Sequence, residues 1–266
     1  MGGIVIKGTT TKEVVEKLRP IDDIFYSKLV EKEGFCEELL QIILNKKDLN
    51  LVRVSSQKSL RNIEGKSVVL DVMCEDSENT YYNIEVQKTD NDNHQKRVRY
   101  NGSNIDTYVS EKGIRYEDLP DVYIIYISEF DTFNKGKTMY HINRSIEESD
   151  DEVDNGYNEI YVNAKIDDGS EVAELMKIFI SADIPYNEKF PKICNSIRAL
   201  KEEKRSDNMC KIVEEYAKEY AKGERLEGEL GLMTVILELK KGISEEELIE
   251  RGYEEGTINN AKIVLA

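Results

Sequence analysis

The chain has 266 residues, of which 39% are hydrophobic and 34% charged, and its formal net charge is −16. This composition predicts a globular protein with one sizeable domain, alone or with an appendage, and excludes a disordered chain. No apolar run approaches the length of a membrane span, and the N terminus lacks the segments of a signal peptide. We therefore expect a cytoplasmic protein without a membrane partner. Its four cysteines form no CxxC pair and are expected to stay reduced.

The first elements of the chain are predicted to be helical. Apolar residues at helical spacing predict amphipathic helices over residues 21–33 and 35–44, with Gly34 as the break between them. A period-two alternation then predicts a strand over residues 49–56.

Two further strands, residues 66–75 and 80–88, flank turn-forming residues 76–80 and predict a hairpin. Regular alternation predicts that the first of these strands has two faces, with Val68, Leu70 and Val72 on one and Val69, Asp71 and Met73 on the other. Because both faces carry apolar residues, we expect this strand to lie centrally in the sheet.

A hairpin that is symmetric about Glu78 places Asp71 directly opposite Glu85, with Cβ atoms roughly 4.5–5.5 Å apart. Gln87 lies two residues further along and points to the same face, about 7 Å away along the strand. Like charges that face each other across a ladder destabilise it, so such a pair either neutralises one carboxylate or holds a cation. The spacing therefore predicts a metal site.

Beyond the hairpin, the pattern predicts a helix, a buried strand and two more strands before the chain becomes helical from residue 170. These segments are residues 93–111, 121–128, 138–143 and 159–163. We expect residues 138–143 to form a hairpin with residues 121–128 through the turn at 134–137.

Residues 201–266 differ in composition from the rest of the chain and carry apolar residues at helical spacings. Ser244 begins a capping box, and Ile243 and Leu248 are placed for a hydrophobic staple. Short helices around Gly252 could form a helix-turn-helix, but the last one carries a single lysine. An appendage for oligomerisation or docking is the better interpretation, and these helices could form a homodimer.

The order of helix, strand, hairpin with Asp71 and Glu85-x-Gln87, helix and buried strand resembles the αβββαβ core of the PD-(D/E)XK nuclease superfamily. More narrowly, the chain resembles the bacterial PD-(D/E)XK nuclease family transposases, or recombination-promoting nucleases. Six segments carry this resemblance: residues 21–30, 35–44, 66–76, 82–87, 94–100 and 121–130.

The resemblance implies a restriction-endonuclease-like α/β fold with a mixed sheet, additional strands and a C-terminal helical appendage. Residues 1–20 would form an N-terminal tail, residues 21–200 the nuclease-like domain, and residues 201–266 the appendage.

The resemblance also implies a metal-dependent DNA endonuclease that hydrolyses phosphodiester bonds and acts in DNA transposition or recombination. Mg²⁺, or Mn²⁺, prefers hard oxygen ligands, and Asp71 and Glu85 would supply them, with the Val86 carbonyl as a third ligand. Gln87 stands where the superfamily usually carries lysine, although this branch commonly has Glu-x-Gln. A glutamine can orient water but cannot act as a base or bring positive charge. The departure therefore bears on the rate of cleavage more than on the metal site.

An acid from the first helix often completes such sites. Asp23 fits the family's pattern best and Glu38 is its competitor, while a capping or solvated acid is the alternative interpretation for both. His94, at the start of the next helix, is expected at the surface rather than in catalysis.

Contact with DNA must overcome the acidic balance of the chain, because nucleic-acid binders usually carry a basic face. Residues 87–100 are a local exception, with four lysines and arginines against two aspartates. Within them, Gln95, Arg97 and Arg99 are candidates for DNA contact, and a solvated helix face is the alternative.

The acidic charge and Gln87 also leave open a second class of function, a catalytically weak nuclease-fold module for binding or assembly. A glycosidase fits poorly, since its carboxylates flank a sugar ring and this chain has no tryptophan.

Overall fold

A computed structural model describes residues 5–6, 9–10, 15–60, 67–90, 93–110 and 113–202, and residues 236, 239–240, 243–250, 253, 258 and 262 near the C terminus. The chain divides into two units, Met1–Cys210 and Lys211–Ala266. Among the residues so described, no helix has the length and apolar character needed to cross a membrane.

A six-stranded mixed sheet is the framework of the first unit. In chain order the strands are β1 Val5–Ile6, β2 Thr9–Thr10, β3 Leu51–Leu60, β4 Val68–Asp76, β5 Tyr81–Gln87, β6 Val122–Ser128, β7 Met139–Ile142, β8 Arg144–Ser145, β9 Glu152–Val153 and β10 Tyr157–Asn163. The sheet has the order β3-β4-β5-β6-β10-β7, while β1 with β2 and β8 with β9 form separate pairs. β5, β6 and β10 run parallel, and the remaining neighbours are antiparallel.

Helices flank this sheet and complete the predicted core. They are α1 Asp23–Leu29, α2 Phe35–Ile43, α3 His94–Val109, α4 Glu171–Phe179 and α5 Pro191–Glu202. The run α2–β3–β4–β5–α3–β6 has the predicted αβββαβ order, so the restriction-endonuclease-like fold class is confirmed. The prediction of helices beyond residue 170 is confirmed by α4 and α5.

The break between the first two helices lies at Gly34, as predicted. Gly34 has a φ of 75°, a backbone conformation that favours glycine. α1 ends at Leu29, short of the predicted residue 33. Phe35 begins α2 and packs its ring 6.3 Å from that of Phe179 in α4.

α3 packs on one face of the sheet, with Val98 and Ile105 buried in the core cluster there. Gly102 allows a close contact with Tyr157, because a Cβ atom at this position would lie 2.3 Å from the Tyr157 side chain. α3 is continuous over His94–Val109 although it contains this glycine.

The opposite face of the sheet carries α2. Cys36 of α2 shares a hydrogen bond with Cys74 of β4, and this bond together with burial raises the pKa of Cys74. Cys36, Cys74 and Cys194 are free and buried. Cys210 lies outside the described residues.

At Asp71 the regular alternation of the β4 side chains between the two faces of the sheet is interrupted. Leu70 and Met73 both belong to the core cluster packed on α3, although residues three apart on a regular strand point to opposite sides. Across from Asp71 on β3, Gln57 has a φ of 49° and is absent from the ladder, which continues on either side of it. The prediction that Leu70 and Met73 face opposite sides is therefore wrong, because the alternation restarts at this irregularity.

β7 does not pair with β6. β10 lies between them, parallel to β6 and antiparallel to β7, so the predicted hairpin of residues 121–128 and 138–143 is wrong. Ile125 of β6 pairs with Ile160 of β10, and Ile127 pairs with Val162, all of them buried. This long-range apolar pairing outweighs the local turn signal.

α6 spans Glu245–Glu250 in the second unit. The Glu247 N–H donates to Ser244 Oγ at 3.2 Å, and Ile243 packs in one apolar cluster with Leu248. The predicted N-cap and hydrophobic staple are confirmed. The apolar residues at helical spacing from Met209 to Met233, and Leu237, lie outside the described residues, as does Gly252.

The left-handed backbone at Gln57 leads to a prediction about stability. A β-branched residue tolerates positive φ poorly, so we expect Gln57→Val to lower the free energy of unfolding by about 1–2 kcal/mol and Gln57→Gly to leave it unchanged or raise it. Ser59→Val, on the regular part of β3, is the matched control and should be neutral. Urea unfolding measures all three, and equal stability of Gln57→Val and Ser59→Val would contradict the prediction.

Candidate active site

The β4–β5 hairpin has the predicted register. Its recorded pairs run from Glu75–Tyr81 to Val72–Ile84. The next step of the same register pairs Asp71 with Glu85, which is the arrangement predicted from the turn.

Where the backbone ladder between β4 and β5 ends, the side chains of Asp71 and Glu85 form the hydrogen bonds between the two strands. The Asp71 N–H donates to Glu85 Oε1 at 3.2 Å, and the Val86 N–H donates to Asp71 Oδ2 at 3.1 Å. Each carboxylate is therefore bonded to the backbone of the opposite strand. These two bonds keep both carboxylates at the point where β4 and β5 separate.

Glu85 is fully buried, which is unusual for a carboxylate. Asn83 Nδ2 donates to Glu85 Oε1 at 2.8 Å and to the Val72 carbonyl at 3.0 Å. Burial and then the charge of Asp71 raise the pKa of Glu85 to about 7, while the contacts with Asn83 and Arg97 oppose the shift. Part of this carboxyl population therefore holds a proton near neutral pH.

Asp71 is half-buried beside it. Burial raises the pKa of Asp71 to about 6, the bond from the Val86 N–H lowers it, and the charge of Asp23 raises it further. Because the two carboxyl groups interact, the pair titrates as one unit.

Arg97 brings positive charge to this pair from the first turn of α3. Its Nη2 lies 3.5 Å from Glu85 Oε2, and its Nη1 donates to Gln87 Oε1 at 3.4 Å. Gln87 Nε2 donates to the Thr89 carbonyl at 3.1 Å. The structure therefore brings Glu85, Gln87 and Arg97 together. Gln95 and Arg99, also on α3, are exposed.

Asp23 lies at the N terminus of α1, next to a network of ion pairs. Arg19 binds Glu129 through both guanidinium nitrogens at 2.8 and 2.9 Å and also contacts Asp22. Lys88 Nζ lies 2.7 Å from Asp22. Withdrawal from water raises the pKa of Asp23, whereas Lys88 lowers it. The network ties the start of α1 to the end of β5.

The Glu38 carboxylate lies at the start of α5 and binds its backbone. Its carboxylate accepts the backbone N–H groups of Lys192 at 3.2 Å and Ile193 at 2.7 Å, which lie in the first turn of α5. It therefore caps that helix, where a negative charge is favourable. Of the two acids considered from the first helices, Asp23 is the one whose charge reaches Asp71.

His94 is buried, so the prediction that it lies at the surface is wrong. Its Nδ1 lies 2.6 Å from the Tyr126 hydroxyl and its Nε2 lies 2.9 Å from Asp90 Oδ1. Tyr126 in turn pairs with Glu85 in the parallel β5–β6 register. His94 thus anchors the start of α3 to the strand behind Glu85.

Three buried oxygen atoms at and near Glu85 have unused hydrogen-bonding capacity. They are Glu85 Oε2, Asn83 Oδ1 and the Tyr26 hydroxyl, for which the described residues provide no hydrogen-bond partner. Sequence analysis missed Asn83, although it lies two residues before Glu85 and so shares its strand face. Such oxygen atoms suit a hard cation with its water ligands.

The carboxylate pair and nearby backbone carbonyls are the groups that could hold a metal ion. Within the part of the chain that the structure describes, no group of three or more His, Cys, Asp or Glu side chains is arranged to bind one. Asp71 and Glu85 would supply two carboxylates, and Mg²⁺ is commonly bound by one or two.

The raised pKa of Glu85 leads to a prediction about pH. An acid that holds its proton more tightly in the folded state destabilises that state as pH rises from the unfolded value of 4.5 through about 7. Without divalent ions at pH 8, Glu85→Gln should therefore raise the free energy of unfolding by about 1–3 kcal/mol relative to its effect at pH 5.

Chemical denaturation at the two pH values measures this difference. Glu75→Gln is the matched control, because Glu75 lies on β4 and pairs with the exposed Arg53. An effect of Glu85→Gln that is the same at both pH values would contradict the prediction.

Comparison with known proteins agrees with this geometry. The family described as PD-(D/E)XK nuclease family transposase matches residues 30–163, which are 134 of the 266 residues. No curated protein and no solved structure matches the chain significantly. The matched segment contains β3, β4, β5, α3 and β6, and with them Asp71 and Glu85. The chain therefore belongs to the PD-(D/E)XK nuclease family transposases.

Proposed function

We propose that this protein is a divalent-metal-dependent DNA endonuclease that hydrolyses phosphodiester bonds during DNA transposition or recombination. The observation that carries the proposal is the fully buried Glu85 beside Asp71, with one oxygen atom that accepts no hydrogen bond. Burying a carboxylate beside a second one is costly unless positive charge offsets it, and a metal ion held by both would do so. Membership of a nuclease family supports DNA as the substrate.

Asp71, Glu85 and the Val86 carbonyl would hold the metal ion, Mg²⁺ or Mn²⁺. The Tyr81 N–H donates to the carbonyl of Asp121, the residue before β6, and the Gln87 carbonyl accepts from the N–H of Glu129, the residue after β6. Alternate residues of β5 therefore bond in that direction. Val86 lies between these residues in the alternation, and its N–H donates to Asp71 on the β4 side. Its carbonyl faces the same side, where the carboxylates are. A bound ion would neutralise the scissile phosphate and lower the pKa of an attacking water.

The remaining residues would orient the substrate and the water. Arg97 lies between Glu85 and Gln87 and can donate to a phosphate oxygen. The Gln87 amide can orient the water, and Asp23 can accept a hydrogen bond from it. Gln95 and Arg99 are exposed on the same helix and would contact the DNA backbone.

A specific observation favours a second candidate, a catalytically weak nuclease-fold module for binding or assembly. Both polar atoms of the Gln87 side chain already have partners, with Oε1 accepting from Arg97 and Nε2 donating to Thr89. A glutamine engaged in this way has fewer bonds left with which to orient water.

Nicking of supercoiled plasmid in Mg²⁺ or Mn²⁺ tests the proposal. We expect the wild-type protein to nick the plasmid, and Asp71→Asn and Glu85→Gln to lower the rate at least about 100-fold, because each removes a charged ligand. Chelation of the metal should have the same effect.

Glu75→Gln, on the same strand as Asp71, should nick at the wild-type rate. The endonuclease proposal fails if Asp71→Asn cuts as fast as the wild type. A protein that binds plasmid without nicking it would instead be the binding module.

The position of Gln87 leads to a prediction about lysine at this site. Because Gln87 Oε1 lies 3.4 Å from Arg97 Nη1, the ammonium group in Gln87→Lys would meet a like charge, and we expect about tenfold slower nicking. The double variant Gln87→Lys/Arg97→Gln should lose less than the product of the two single losses, since it removes the repulsion.

Nicking assays on the four proteins of this cycle measure the coupling. If the rate loss of the double variant equals the product of the two single losses, Arg97 is not the charge that acts at this position. A Gln87→Lys variant that nicks faster than the wild type would contradict the same assignment.

Two further features belong to the proposal, a cytoplasmic location and a homodimer formed through residues 201–266. The dimer suits an enzyme that cuts both strands, since each subunit offers one pair of carboxylates. Sedimentation of the full chain at several concentrations gives the oligomeric state.

A further inference from the structure

A cavity of about 530 Å³ opens between the first turns of α3 and the start of β4. Its volume falls within the range of pockets that hold small molecules. Ser67 and Val69 line it from the strand side, and Lys96, Arg97, Arg99 and Tyr100 line it from α3.

The charge of the cavity is opposite to that of the chain. Three of its lining residues, Lys96, Arg97 and Arg99, are basic, and none of the described residues that line it is acidic. The whole chain carries a net charge of −16. A concave site lined by one sign of charge concentrates ligands of the other sign, so this cavity favours an anion.

The cavity also offers apolar and aromatic surface. The Val69 side chain is 54% exposed although it lies on a strand of the central sheet. Tyr100 lines the same cavity with a partly buried ring. A ligand that is complementary to both this surface and the basic side chains of the cavity has an anionic group joined to a flat apolar group. A nucleotide has both, and its base can stack on a tyrosine.

The cavity adjoins the carboxylate pair through Arg97. The guanidinium of Arg97 lies 3.5 Å from Glu85 and 3.4 Å from Gln87, while the same residue lines the cavity. A strand whose phosphate lies at the carboxylates would therefore have an adjacent nucleotide at the cavity. In a duplex that base is stacked and paired, so only an unpaired nucleotide can enter without the cost of unstacking.

We propose that this cavity binds an unpaired nucleotide of the cleaved DNA strand, so that the preferred substrate has a single-stranded segment next to the scissile phosphate. The inference rests on the proposed endonuclease function and names its substrate class. Lys96 and Arg99 hold the backbone of the unpaired segment, and Tyr100 and Val69 receive its base.

The test compares a blunt duplex with the same duplex carrying a short overhang of either polarity. The overhang contains 2-aminopurine, whose fluorescence falls on stacking, and the full-length protein is titrated in Ca²⁺ to observe binding apart from cleavage. We expect about tenfold tighter binding to one of the overhang duplexes, with quenching. Tyr100→Leu and Lys96→Gln should each remove most of this preference.

Tyr108→Leu is the matched control, because Tyr108 is an exposed tyrosine on the same helix that does not line the cavity. It should keep the preference. Lys96 is exposed at the surface, so Lys96→Gln remains informative if Tyr100→Leu does not fold.

Equal affinity for blunt and overhang duplexes, or a preference that survives both variants, overturns the inference. In either case nicking of plasmid would leave the endonuclease function standing. A mononucleotide that binds as tightly as the overhang duplex would identify a site for free nucleotides and would also overturn it. Failure to bind or cut any DNA would remove the proposed function and the inference together.

Discussion

The juxtaposition of two carboxylates where β4 and β5 separate is the constraint on which the rest of the structure depends. Taking ionised groups out of water is expensive, and two like charges add repulsion. Here Asp71 and Glu85 each accept a backbone N–H from the opposite strand, and Asn83 gives Glu85 a further bond. These bonds take the place of the regular ladder, so the end of the hairpin opens where the carboxylates meet.

The surrounding elements hold this opening in place. On one side, Gln57 of β3 is absent from the ladder opposite Asp71. The side-chain alternation is interrupted at this point. On the other side, the parallel pairing of β5 with β6 continues through Gln87. Beyond the sheet, the ion pairs of Arg19 with Glu129 and of Lys88 with Asp22 connect the start of α1 to the strand ends. Strand pairing and ion pairs therefore surround the irregularity at Asp71.

The local charge at the start of α3 differs in sign from the net charge of the chain. The chain is strongly acidic, yet the beginning of α3 presents Lys96, Arg97 and Arg99 around one cavity. Arg97 belongs to both regions, since it pairs with Glu85 and lines that cavity. Fields at short range are set by the nearest charges, because salt screens exposed charges beyond about 8 Å. An acidic protein can therefore offer a basic path to a phosphate.

Local signals in the sequence were sufficient for the elements that depend on neighbouring residues. The turn formers at residues 76–80 determined the register of the β4–β5 hairpin, and through it the opposition of Asp71 and Glu85. Gly34 separated two helices because few other residues adopt its backbone conformation, and Ser244 capped α6 for the same local reason. The order of these elements was enough to indicate the fold class and the family.

Only the tertiary structure decided the features that depend on distant residues. β10, and not β7, pairs with β6. This pairing buries apolar residues that are distant in the sequence, so the turn next to β7 does not determine it. Glu38 became a cap because α5, more than 150 residues later in the chain, brings its first N–H groups to that carboxylate. His94 was buried by contacts with Tyr126 and Phe130 of the neighbouring strand region. The sequence by itself determined which carboxylates face each other, whereas the packing of α3 against the sheet decided which charges and which cavity lie beside them.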